Sequence, residues 1–124
     1  MNALVIDDSK AMRTILKGIL KNLGFNVFEA GDGVEALEQM NSVDDIVLAL
    51  VDWNMPNMNG FDFVKEVRSS PVFDSTKLMM VTTEAEMQRV IAAIEAGADE
   101  YLMKPFTRDA VLEKLGILGI RTEG

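Results

Sequence analysis

Apolar positions along this chain alternate between two periods. Short runs that read as buried strands recur at Ala3 to Ile6, Phe25 to Glu29, Ile46 to Val51, Leu78 to Val81 and Tyr101 to Met103. Between them lie stretches with helical spacing. Ser9 is placed to cap a first helix whose apolar face is Met12, Ile15, Leu16, Ile19, Leu20 and Leu23, and Gly24 stops it. Gly31-Asp32-Gly33 turns the chain into a second helix with Val34, Leu37 and Met40 inward. Ile46 to Val51 is the most hydrophobic run and reads as a central strand covered on both faces. A loop from Trp53 to Asn59 carries Pro56 and ends at Gly60, after which Phe61, Val64 and Val67 mark a third helix. Glu84 to Ala96 forms the fourth, stopped by Gly97, and Thr107 caps a fifth containing Val111, Leu112 and Leu115. Five βα units with short connections predict an α/β fold, a doubly wound parallel sheet with helices on both faces. No linker or shift in composition divides residues 1–124, so one domain is expected.

Four of the strand runs end in residues suited to phosphate or metal chemistry. Ile6 leads into Asp7-Asp8, Val51 into Asp52, Val81 into Thr82, and Met103 into Lys104. In a parallel sheet these ends share one edge, where open α/β sheets bind their ligands. Singly, each residue has an ordinary reading. Asp7 and Asp8 favour a helix N-terminus, Asp52 a turn and Thr82 a cap. Lys104 before Pro105 suits a solvated lysine. Together they point to one site. Clustered carboxylates repel unless neutralised, and a hard divalent cation such as Mg²⁺ suits all-oxygen ligands with retained waters. Lys104 adds a point charge and Thr82 a hydroxyl donor. With a carboxylate nucleophile, that set suffices to form an acyl phosphate.

Composition narrows the chemistry further. The chain has no cysteine and no histidine, which excludes disulfides, thiolate or histidine zinc sites, Ser-His-Asp catalysis and phosphohistidine carriage. A net charge of −8 argues against a nucleic-acid surface. The longest apolar run falls far short of the ~20 residues of a membrane helix. An acidic pair at Asp7-Asp8 early in the chain is unlike a secretory signal, so a cytoplasmic protein is expected. Gly31-x-Gly33 lacks the rest of a dinucleotide fingerprint and reads as a turn, and no phosphate-binding P-loop occurs. The nine methionines mostly fall at core positions, where they act as gap fillers.

Asp7-Asp8, the stretch from Asp52 to Gly60, Val81-Thr82-Thr83-Glu84-Ala85 and Tyr101 to Phe106 together resemble the receiver domain of two-component response regulators. The resemblance spans about Leu4 to Leu115, and Asp52 to Gly60 looks like the chemotaxis (CheY-like) branch. It implies a flavodoxin-like sheet of strand order 2-1-3-4-5 with five helices. It implies that Asp52 is phosphorylated by a partner sensor histidine kinase. It further implies that Asp7, Asp8, Asp52 and the backbone carbonyl of Asn54 hold Mg²⁺, with Asp7 acting largely through water. Lys104 would contact the phosphoryl group and Thr82 would swing toward it, with Tyr101 changing rotamer. Lys104-Pro105 is expected to be cis, and Thr83 is small, as access to the phosphate requires. Asn54 and Glu84 hold the positions that tune acyl-phosphate lifetime. A surface of Met87, Val90, Ile94, Tyr101 and Lys114 would read out the switch to an output protein such as a flagellar switch component.

One departure stands out. Gly116 and Gly119 interrupt the last turns of the fifth helix at up to ~1 kcal/mol each relative to alanine. The tail from Gly116 to Gly124 is therefore expected to fray or dock differently. The expected molecule is a stand-alone, monomeric regulator without an output domain, acting by binding rather than as an enzyme, and open to a phosphatase partner. A phosphorelay shuttle or phosphate sink shares the same active site. A Mg²⁺-dependent aspartyl-phosphate phosphatase is the reading from another class. It is disfavoured by Asn54, which cannot protonate a leaving group.

Overall fold

The computed structural model describes residues 1–122; Glu123 and Gly124 lie outside the described residues. Strands β1 (Asn2–Ile6), β2 (Asn26–Ala30), β3 (Ile46–Asp52), β4 (Lys77–Thr82) and β5 (Glu100–Met103) alternate with helices. These are α1 (Lys10–Asn22), α2 (Gly33–Ser42), α3 (Gly60–Arg68), α4 (Met87–Ala96) and α5 (Arg108–Ile117). The sheet is wholly parallel in the expected order β2-β1-β3-β4-β5.

Side chains alternate across the strands, and this divides the core in two. Leu4, Ile6, Ala49, Val51, Leu78 and Met80 face α2, α3 and α4. Ala3, Val5, Leu48, Leu50, Met79 and Val81 face α1 and α5. Every residue of β3 from Leu48 to Val51 is fully buried, as the apolar run predicted. The buried leucine and valine side chains each contribute roughly 1.5–3 kcal/mol of burial energy.

Helix starts follow their caps. Ser9, Asp32, Asn59 and Thr107 each accept the backbone N–H three residues on, from Met12, Glu35, Asp62 and Ala110. Gly24 and Gly97 follow α1 and α4 with positive φ, as expected for helix stops.

Several expectations are corrected. The second strand is shifted one residue, ending at Ala30 rather than Glu29. Ile15 and Val34 are exposed, because each lies at the edge of its helix's apolar arc. In α3, Phe63 is fully buried while Phe61 is only partly covered. The fourth helix does not start at Glu84: Glu84–Glu86 is a 3-10 turn closed by a capping box between Thr83 and Glu86, and the α-helix begins at Met87. The fifth helix runs through Gly116 to Ile117, and of the tail expected to fray or dock differently Glu123 and Gly124 lie outside the described residues. It closes by a Schellman motif in which Ile120 N–H reaches Leu115 O (2.9 Å) and Gly119 N–H reaches Gly116 O (3.1 Å). Gly119 supplies the left-handed residue at φ 76°, and Leu118 and Ile120 pack on the α1/α5 side of the core.

Candidate functional site

The carboxyl edge of the sheet gathers the predicted residues. Ile6 pairs with Val51, so the ends of β1 and β3 are adjacent and bring their acids together. Asp7, Asp8 and Asp52 each place a carboxylate oxygen within 4.8 Å of the others. Lys104 follows β5, where its N–H donates to Thr82 O (2.6 Å) and extends the β4–β5 ladder past the strands. Its Nζ reaches Asp52 Oδ1 at 3.6 Å and Asp7 Oδ2 at 4.0 Å. The Lys104-Pro105 peptide is cis, as expected.

The three acids are not equivalent. Asp8 is exposed and Asp7 is buried. Asp7 Oδ1 accepts the Ser9 N–H (2.8 Å), whereas its Oδ2 is sealed from solvent with no hydrogen-bond donor. Burial raises the Asp7 pKa against the opposing pull of the Ser9 N–H and Lys104. Asp52 is pushed up to about 6, first by burial and then by the charge of Asp7, with Lys104 acting in the opposite sense. An undonated buried oxygen and two acids held above their usual range describe a site short of positive charge. A hard divalent cation with oxygen ligands fits it, and Asp7, Asp8 and Asp52 are the side chains that could hold one.

Thr82 is fully buried, and its hydroxyl donates to Thr83 O at 3.2 Å. Asn54 has partners that periodicity did not reveal. Its amide donates to Glu86 Oε2 (3.0 Å), while Arg89 approaches its Oδ1 at 3.4 Å. Glu86 also accepts the Thr83 N–H and hydroxyl, so it ties the loop after β3 to the turn after β4. Thr83-x-x-Glu86 is a capping-box pattern, a signal that the sequence reading missed in starting the helix at Glu84; the Arg89 contact had no sequence signal. Glu84 is exposed and takes no part in this network. The same loop is fixed elsewhere by Asn57, at φ 67°, which donates to Asp32 (2.7 Å), and by Gly33 N–H on Met58 O (3.1 Å). Gly60 is required sterically, since a methyl group there would meet the Asp52 carbonyl oxygen.

The expected readout surface is assembled only in part. Val90 is buried in the core and cannot be read out, Met87 is partly buried, and Ile94 is exposed. Ile91, which was not expected, is 67% exposed. Lys114 lies 4.0 Å from the centre of the Tyr101 ring and pairs with Glu100 at 3.0 Å. A cleft of about 370 Å³, lined by Asp44, Asp45, Val72 and Phe73 among others, includes none of the clustered acids.

The model of the response regulator receiver domain matches residues 3–116. The chain belongs to the response regulator receiver family. Relatives include the chemotaxis protein CheY1 of Helicobacter pylori, 45% identical over 119 residues that cover 95% of this chain and 96% of the relative. The chemotaxis protein CheY homolog of Campylobacter jejuni is 44% identical over 116 residues, 93% of this chain and 89% of that protein. The solved structure of the chemotaxis response regulator CheY4 of Vibrio cholerae superposes with a TM-score of 0.86 at 33% identity, covering 94% of this chain and 97% of that one. CheY-like receivers are signalling proteins rather than classical enzymes. No helix among the described residues of this receiver is long and apolar enough to cross a membrane.

Proposed function

We propose that this receiver is a cytoplasmic, phosphorylation-dependent switch of chemotaxis. Asp52 accepts a phosphoryl group from a sensor histidine kinase, and the change alters affinity for an output protein such as a flagellar switch component. The observation that carries this reading is Asp52 between Lys104 at 3.6 Å and the carboxylates of Asp7 and Asp8.

Asp52 offers its carboxylate to phosphorus while the bond from phosphorus to the donor breaks. With a pKa of about 6, it is mostly ionised near neutrality yet more basic than an ordinary aspartate. Lys104 donates to the phosphoryl oxygens and loses little hydration in doing so, because it is already largely covered. Asp7, Asp8, Asp52 and the backbone carbonyl of Asn54 would hold Mg²⁺, which would supply positive charge against the charge on those oxygens.

Phosphorylation gives the Thr82 hydroxyl a stronger acceptor than the Thr83 carbonyl it now uses. Movement of Thr82 biases a pre-existing equilibrium and is passed to Tyr101, whose strand lies beside it. Tyr101, Met87, Ile94 and Lys114 then form the surface that the partner reads. Asn54 and Glu84 tune the lifetime of the acyl phosphate. A single domain acting as a monomer suffices for this scheme.

Trp53 is the only tryptophan and adjoins Asp52. Its fluorescence should change on adding Mg²⁺, change again with acetyl phosphate, and return as the donor is exhausted. Asp52→Asn should abolish the second change. An unchanged second response in that variant, or no response to millimolar Mg²⁺, rejects the reading.

A further inference from the structure

A cleft of about 290 Å³ opens between α3 and α4, lined by Trp53, Asn54, Asn59, Phe61, Arg89 and Ala92. We propose that it binds a small organic carboxylate. The proposal does not rest on phosphorylation of Asp52.

The lining is rich in unused donors. Asn59 spends its Oδ1 on the Asp62 N–H, and its amide nitrogen has no hydrogen bond among the described residues. Arg89 is exposed, and its guanidinium reaches only Asn54 Oδ1, at a long 3.4 Å. No carboxylate pairs with Arg89 among the described residues. Trp53 is 4% exposed and its indole N–H is buried without a partner. A buried donor left unmade carries a standing cost, and buried tryptophan normally finds an acceptor. That N–H is closed to water, so it gains a partner only when the lining side chains shift. Among those side chains Arg89 is held only by its long contact to Asn54 Oδ1.

Charge selects an anion. No acidic residue lines the cleft, although the chain carries a net charge of −8. Lys65, outside the lining, stands 5.0 Å from the centre of the Phe61 ring and is only loosely paired with Asp62 at 4.0 Å. Phe61, Ala92 and the indole body supply apolar walls, which favour a ligand with an apolar body over a fully hydrated ion. A planar carboxylate matches the guanidinium fork. The cleft volume lies near the lower end of ligand sites, roughly 300–1,000 Å³, so the ligand is small.

The test uses benzoate as the probe and the single tryptophan as the reporter. The indole N–H gives one cross-peak in a proton–nitrogen spectrum of the full chain. Benzoate is titrated at constant ionic strength without Mg²⁺ or phosphodonor, beside benzyl alcohol and inorganic phosphate. The expected result is a saturable displacement of the indole peak by benzoate alone, with a millimolar dissociation constant. Arg89→Gln should weaken it by about tenfold or more, the loss of one charge-assisted contact. Ala92→Leu, which narrows the cleft and keeps Arg89, should weaken it likewise. Both positions are exposed, so neither substitution disturbs the core. No saturable displacement overturns the proposal. So do an equal response to benzyl alcohol or phosphate, and unchanged affinity in Arg89→Gln. Because no phosphoryl donor is present, failure here is distinct from failure of the phosphorylation reading.

Discussion

Lys104 stands 3.6 Å from Asp52 Oδ1, too far for a tight hydrogen bond and close enough to act as a charge. The lysine therefore neutralises the acid only in part, and the proton affinity of Asp52 stays raised. On the proposed reading, the same separation keeps the ammonium within reach of a phosphoryl oxygen on Asp52.

The first prediction concerns stability without metal. An acid whose folded pKa exceeds its unfolded value binds its proton more tightly when folded, so stability falls as pH rises through that window. For Asp52 the window runs from 3.8 to about 6, and the penalty is complete above it. A shift of that size is worth on the order of 1–3 kcal/mol after allowing for solvent relaxation. Asp52→Asn should raise the melting temperature at pH 7.5 without divalent ions by roughly 5 °C. The gain should largely disappear near pH 3.5, where both states are mostly protonated. Asp8→Asn should also raise it, by less, because Asp8 is exposed. Thermal melts at the two pH values check this, and an unchanged midpoint for Asp52→Asn at pH 7.5 counts against the crowding of these acids.

A second prediction separates binding of metal from coupling. Lys104 competes with a cation for Asp7 and Asp52. Lys104→Ala should bind Mg²⁺ more tightly, by on the order of 1 kcal/mol, since a like charge that pairs with the same carboxylates is removed from a partly screened site. It should still accept phosphate from acetyl phosphate, but phosphorylation should no longer strengthen partner binding. Trp53 fluorescence reads the first effect, and a partner-binding titration with and without donor reads the second.

The sheet and the acid cluster were legible in the sequence because each depends on local pattern. β3 is an unbroken apolar run, so its placement at the centre followed from burial on both faces. Asp7, Asp8, Asp52, Thr82 and Lys104 are each anchored to a strand end, and parallel strands bring such ends to one edge. The α4 region was read less well. Met87, Val90 and Ile94 share helical spacing, but spacing does not say which side of the arc meets the sheet, and Val90 turned out to be core. The Asn54–Glu86–Arg89 bridge joins residues more than thirty apart across two loops, and no periodicity encodes such a contact. Gly116 misled for a different reason: glycine weakens a helix without ending it, and only Gly119 has the backbone conformation of a stop.

That bridge gives a third prediction. Glu86 satisfies the Thr83 N–H and hydroxyl and also holds the Asn54 amide. Glu86→Ala removes a capping box and should cost about 1 kcal/mol of stability. With Asn54 released, acyl-phosphate decay should quicken by at least about twofold, a change of ~0.4 kcal/mol in the barrier. Recovery of Trp53 fluorescence after donor removal measures the rate. Decay at the parent rate would show that the Asn54 tether has no part in lifetime.

The two late glycines give the fourth prediction, with opposite signs at sites three residues apart. Gly116 is inside α5 with open space where a Cβ would stand, so Gly116→Ala meets nothing and should stabilise by up to ~1 kcal/mol through helix propensity and a less flexible unfolded chain. Gly119 has equally open surroundings, but its φ of 76° strains any side-chain-bearing residue. Gly119→Ala should destabilise by about 1 kcal/mol and loosen the Ile120–Leu115 hydrogen bond that closes the helix. Urea titrations of the two variants give the signs, and amide exchange at Ile120 reports the cap directly. Equal effects from the two substitutions would mean that α5 does not end as described. Opposite effects would show that its Schellman closure, rather than the glycine content of the segment, holds Leu118 and Ile120 against the core.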